Sequence, residues 1–185
     1  MTCSGCHTST THADTPTPNA APRVLALLAR IEAKGCRLAS PTVVCDDIFG
    51  GAAAAAAYDS ARAQVVMNPA VPEKHMEQRE WTRSIVHELV HAYDYCRADI
   101  DLRSCRHMAC TEVRASNLSG ECDFSAEVSR IGFPLQLAGH QQRCVRRRAE
   151  KSVAMNAACV GADAKAVVTE VFPACYADTA PFPSN

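Results

Sequence analysis

A chain of 185 residues suits a single domain with one apolar core. Its 19 basic and 20 acidic residues leave a formal charge of -1. That balance supplies no field to hold a polyanion, so no nucleic acid is expected as a partner. Nor is there a run of about 18 or more apolar residues to span a membrane, the alanine tract Ala52 to Ala57 being far too short.

Residues 1 to 21 read as a Thr/Pro-rich disordered tail with neither the apolar h-region of a secretory signal nor an Arg-rich amphipathic presequence, which leaves one domain over residues 22 to 182. Pro22 opens a helix through about Lys34, with Val24, Leu27, Leu28 and Ile31 on one stripe and Gly35 as its stop. Two β-branched runs, Pro41 to Asp46 and Ala63 to Met67, predict short strands separated by Gly50, Gly51 and the alanines. After Asn68-Pro69 and Pro72, a long helix is expected from about Met76 to Cys96, with Trp81, Ile85, Leu89, Ala92 and Cys96 on its core face. A second should run from Cys105 to Leu118, ended by Ser119-Gly120. Helical stretches near Gln136 to Met155 and Ala162 to Val171 follow, and Ala180 to Asn185 reads as irregular. The expected class is α+β, mainly helical, with a small sheet or hairpin before the long helix.

Eleven cysteines in a chain of this length point to a disulfide framework or to metal binding. Only Cys3 and Cys6 have C-x-x-C spacing, and a zinc ribbon needs two such pairs. The other nine are dispersed, which favours disulfides and an oxidising compartment. Nine is odd, so one of them is free or pairs elsewhere.

The long helix carries His87-Glu88-Leu89-Val90-His91. Histidines four apart in a helix project from one face, so both imidazoles can reach one tetrahedral cation. Glu88 between them can serve as general base, and zinc would polarise the scissile carbonyl. The pattern therefore predicts a metalloprotease with one Zn2+, His87 and His91 as ligands and Glu88 as catalytic base. The pentapeptide is short, but its apolar flanks, Ile85, Val86, Leu89, Val90 and Ala92, suit a buried active-site helix.

A catalytic zinc site typically has three protein ligands. Asp94, one turn beyond His91, is one option for the third. Glu112 is preferred: it lies on the second predicted helix, 21 residues past His91, which resembles the gluzincin arrangement, and its small neighbours Ala109, Ala115 and Ser116 allow close helix approach. Asp94 would then orient a histidine ring. His107 reads as an exposed histidine. Cys96, Cys105, Cys110 and Cys122 read as bridges stapling the second helix to the active-site helix, because added thiolates would close the coordination sphere. Asn117-Leu118-Ser119 matches a glycosylation sequon by coincidence. The run Ala63 to Met67 is the candidate edge strand for an extended substrate.

Two longer stretches, HELVHAYDYCRA from His87 to Ala98 and ACTEVRASNLSGEC from Ala109 to Cys122, resemble the family of mitochondrial inner-membrane metalloproteases that act in ATP synthase assembly, also described as Ku-antigen-binding proteins. Weaker likeness continues through Cys144 to Ala149, Val171 to Cys175 and Asp178 to Phe182. The resemblance implies a protein of the mitochondrial intermembrane space, attached peripherally to the inner membrane and stabilised by disulfides. It further implies that the protein removes the N-terminal extension of the ATP synthase subunit 6 precursor and assists its assembly. A chaperone whose protease activity is dispensable is the alternative. The sequence departs from the family at a C-x-x-C that would begin at Cys45 and at a later strand cysteine, where Ile48 and Asn68 stand. Cys3 and Cys6 are additional.

Overall fold

The computed structural model describes residues 22–50, 54–71, 78–132 and 138–183. The expected tail lies outside them. The chain groups into two compact units, Met1–Arg97 and Ala98–Asn185.

In the first unit, α1 (Pro22–Ala33) buries Leu27 and Ile31, while Val24 and Leu28 on the same stripe are half-buried. Gly35 ends the helix at φ 83°, a left-handed value that glycine takes without steric cost. The chain then enters β1 (Val43–Cys45), β2 (Ala56–Asp59) and β3 (Gln64–Met67), ordered β1-β3-β2. β3 pairs in parallel with β1, Val43 opposite Val65, and antiparallel with β2, Tyr58 opposite Val65. Flanked on both sides, β3 carries the buried centre of the sheet, with Val65, Val66 and Met67 all 0% exposed.

Two expectations change here. The end of the alanine tract forms a strand that was not foreseen, because alanine is depleted in strands and only pairing with β3 recruits it. And β3, expected at an edge, is central, so its main chain is not available to a substrate.

The β2–β3 hairpin turns through Asp59, whose Oδ1 accepts the amides of Ala61 and Arg62 at 3.0 and 3.1 Å. Arg62 reaches across to Asp46 Oδ2 at 2.7 Å. α2 (Gln78–Arg97) packs on α1 and against β2. Its core side chains include Trp81, Val86, Leu89, Val90, Ala92 and Tyr93. The Cys36–Cys96 bridge, with Cα atoms 6.0 Å apart, ties the end of α1 to the end of α2.

The second unit is helical: α3 (Cys105–Leu118), α4 (Phe124–Ile131), α5 (His140–Met155), a 3-10 turn (Ala157–Cys159) and α6 (Ala164–Ala177). α3 packs on both α5 and α6, so Ala109 and Val113 share a core with Val145, Ala149, Val153, Val168 and Phe172. Ser104 caps α3, its side chain accepting the His107 amide. α4 went unread because it has only 8 residues, too few for a clear period. α6 runs past Val171 with Pro173 inside it; a lone proline predicts a stop, but packing and the Cys110–Cys175 bridge hold the remainder.

The disulfide framework is present, but not in the expected arrangement. Cys105 pairs with Cys159, Cys110 with Cys175 and Cys122 with Cys144. Cys96 takes Cys36 instead of a partner on α3. The described bridges thus close each unit upon itself and do not staple α3 to α2. The ninth dispersed cysteine, Cys45, is not free either.

Candidate metal centre

α2 presents His87 and His91 one turn apart, with ring centroids 4.9 Å from each other and planes at 70°. His87, Glu88 and His91 are 8%, 8% and 7% exposed. Their neighbours explain that burial. Val86, Leu89 and Val90 are 1% exposed or less, so both flanks of the helix are covered and the imidazoles sit where charge is poorly screened. Two converging, buried imidazoles with a carboxylate beside them are a donor set that fits zinc or a similar divalent transition ion.

Asp94, the alternative third ligand, is 2% exposed. Its Oδ1 accepts from Arg97 Nε at 3.0 Å, and the Arg97 guanidinium lies 5.5 Å from the centre of the Tyr93 ring. Asp94 therefore already neutralises a cation on its own helix. Glu112, the preferred third ligand, stands half-buried on α3 in the second unit. Ala109, Ala115 and Ser116, its small neighbours, are each 0% exposed.

The remaining candidates resolve simply. His107 is exposed, and its Nδ1 accepts the Asp101 amide at 3.0 Å. Cys96, Cys105, Cys110 and Cys122 are in disulfides and offer no thiolate. Asn117 of the sequon is half-buried, and its Nδ2 donates to the Tyr176 carbonyl at 3.1 Å. Cys3 and Cys6 lie outside the described residues.

One feature beside the motif escaped the sequence. Tyr58 of β2 stacks on Tyr95 of α2, centroids 5.8 Å apart and planes at 24°. Desolvation, with a smaller contribution from the Asp59 charge, raises the Tyr58 phenol above its usual pKa, so the hydroxyl keeps its proton. The pairing was unreadable without β2, since nothing else links residue 58 to residue 95.

The peptidase M76 family model matches residues 9–183. The chain is similar to proteins named mitochondrial inner membrane protease ATP23 homolog from Danio rerio, 38% identical over 158 residues, and from Homo sapiens, 37% identical over 165 residues. These matches cover 84% and 87% of this chain but 59% and 63% of those relatives. A Mycosarcoma maydis protein named mitochondrial inner membrane protease ATP23 is 47% identical over 103 residues, covering 54% of this chain and 46% of its own length. The chain thus spans about half to three-fifths of these curated relatives. No solved structure matches it. With the match running through both the histidine helix and the bridged helices of the second unit, the chain belongs to the peptidase M76 family.

Proposed function

We propose that this chain is a zinc metalloendopeptidase that acts at the mitochondrial inner membrane, from the intermembrane space. The observation that carries the reading is the buried His87–His91 pair with Glu88 between them, in a member of a peptidase family. His87 and His91 would hold the ion with Glu112 as third ligand, and Arg97's claim on Asp94 supports Glu112 over Asp94. When bound, zinc supplies a Lewis acid that polarises the scissile carbonyl.

The chain's own residues do the rest. Glu88 takes the proton of the attacking water and returns it to the leaving amine, so cleavage proceeds without a covalent intermediate. The low exposure of Glu88 limits competing solvent. The proposed substrate is the N-terminal extension of the ATP synthase subunit 6 precursor, and the same scaffold assists that subunit's assembly. Peripheral attachment to the membrane is part of the proposal; among the described residues no helix is long and apolar enough to cross one. The relatives' names support the location, and a disulfide framework suits an oxidising compartment.

Glu88→Gln separates chemistry from binding. Cleavage of the precursor should fall by about 10²–10⁴-fold, while zinc content, read by elemental analysis, stays at the wild-type level. His87→Ala should lose the zinc itself. Undiminished cleavage by Glu88→Gln would remove Glu88 as the base. In cells lacking the protein, rescue of ATP synthase assembly by Glu88→Gln without processing would assign assembly to the scaffold and not to the protease.

A further inference from the structure

The hydrogen-bond parity of the small sheet shows which main-chain groups face outward from β2. Asn68 N–H donates to the Ala55 carbonyl at 2.9 Å, so 55 and 68 form a hydrogen-bonded pair. Pairs alternate in an antiparallel ladder. Ala57 with Val66 and Asp59 with Gln64 are therefore the next such pairs, and Ala56 and Tyr58 turn their N–H and C=O groups away from β3. The far side of β3 agrees: Val65 N–H donates to Thr42 O at 2.9 Å, and Met67 O accepts from Asp46 N–H at 3.3 Å, both at β1. Among the described residues no strand pairs with the outer edge of β2.

Side-chain parity supplies the second half. Residues 56 and 58 share one face of the strand, and the Tyr58–Tyr95 stack identifies that face as the one against α2. Tyr95 follows His91 by one helical turn, and helical side chains lean back toward the N-terminus. The stack thus stands on the active-site helix at the His91 side. An extended chain added to β2 by main-chain hydrogen bonds would place every second side chain on this same face.

We propose that the Tyr58–Tyr95 stack is the specificity-determining element of the site, receiving an aromatic side chain of an extended substrate peptide that pairs with Ala56 and Tyr58. Tyr58 and Tyr95 are each half-buried, so neither side chain is closed off from solvent, and aromatic side chains prefer offset-stacked or edge-to-face arrangements with one another. Asp59, on the other face, is engaged by the amides of Ala61 and Arg62. The shelf itself is formed by two tyrosine side chains, which carry no formal charge at neutral pH. This inference rests on the peptidase reading above.

Two readouts test it. In the first, fluorescein-labelled peptides that differ only at one position, Phe or Ala, are bound to Glu88→Gln protein and followed by anisotropy. Adding Tyr58→Ala should weaken the Phe peptide by roughly 3- to 10-fold and leave the Ala peptide unchanged, while Tyr58→Phe keeps the preference. In the second, the wild type cleaves a peptide library with an aromatic preference at one subsite; Tyr58→Ala and Tyr95→Ala should flatten it through KM and not kcat. Equal binding of both peptides before and after Tyr58→Ala, or an unchanged cleavage profile, overturns the proposal.

If Tyr58→Ala fails to fold by circular dichroism, Tyr58→Leu and backbone N-methylated peptides carry the test. N-methylation at alternate residues should abolish binding, and indifference to methylation at every position overturns strand addition. A wild type that cleaves nothing while Tyr58-dependent binding persists would support the shelf and sink the peptidase reading instead.

Discussion

Arg114 on α3 is 1% exposed. Its Nη1 pairs with Asp178 Oδ1 at 2.6 Å, and its guanidinium also donates to the carbonyls of Asp178 and Ala180. A buried guanidinium needs its anion far more than an exposed one does, because desolvation has already removed the water that would replace it. Asp178→Asn should therefore cost about 2–3 kcal/mol, below the range for a fully buried pair because the Asp178 side chain is 36% exposed. Arg114→Met, which removes the charge itself, should cost less. Urea unfolding midpoints of the two variants give the comparison. None of this was legible in the sequence, since Arg114 and Asp178 stand 64 residues apart and no local spacing joins them. His87, Glu88 and His91 were legible for the opposite reason: their geometry is fixed by the turn of one helix.

Among the elements, those with local signals were read well. α3 runs from Cys105 to Leu118 as expected, ending at the Ser119-Gly120 stop. β2 and the last part of α6 were not, because both depend on partners distant in sequence. Proline inside a helix costs about 3 kcal/mol relative to alanine, so residues 174–177 of α6 remain helical on borrowed stability. The Cys110–Cys175 bridge and packing on α3 provide it. Replacing Cys110 and Cys175 together by serine should fray the helix beyond Pro173, seen as faster amide exchange at 174–177 with little change at 164–170. Adding Pro173→Ala to that variant should restore most of the protection; no recovery would mean that the bridge alone holds the segment.

At the scale of the molecule, the nine dispersed cysteines announced a bridged protein, but pairing is a property of the folded chain and spacing cannot supply it. Among the described residues the bridges lie within units, and Cys36–Cys96 in the first unit holds the helix that carries the metal motif. Cys36 and Cys96 close a separation of 60 residues. Replacing both by serine should cost about 2–4 kcal/mol and release α1 from α2. Faster exchange over residues 22–33 and a loss of zinc affinity, measured by competition with a chelator, would report it. Unchanged exchange there would show that Leu27 and Ile31 suffice to dock α1.

The bonding of Arg114 also sets an order of events in time. As the chain emerges from a ribosome or a membrane pore, α3 arrives early, but the carboxylate and carbonyls that neutralise it arrive only with residues 178–180, and its bridge partners only at Cys159 and Cys175. Until then α3 is without these bonds and bridges. The packing and bridges of α3 therefore cannot be completed before residues 159 to 180 are present, which ties the folding of the second unit to contacts distant in sequence.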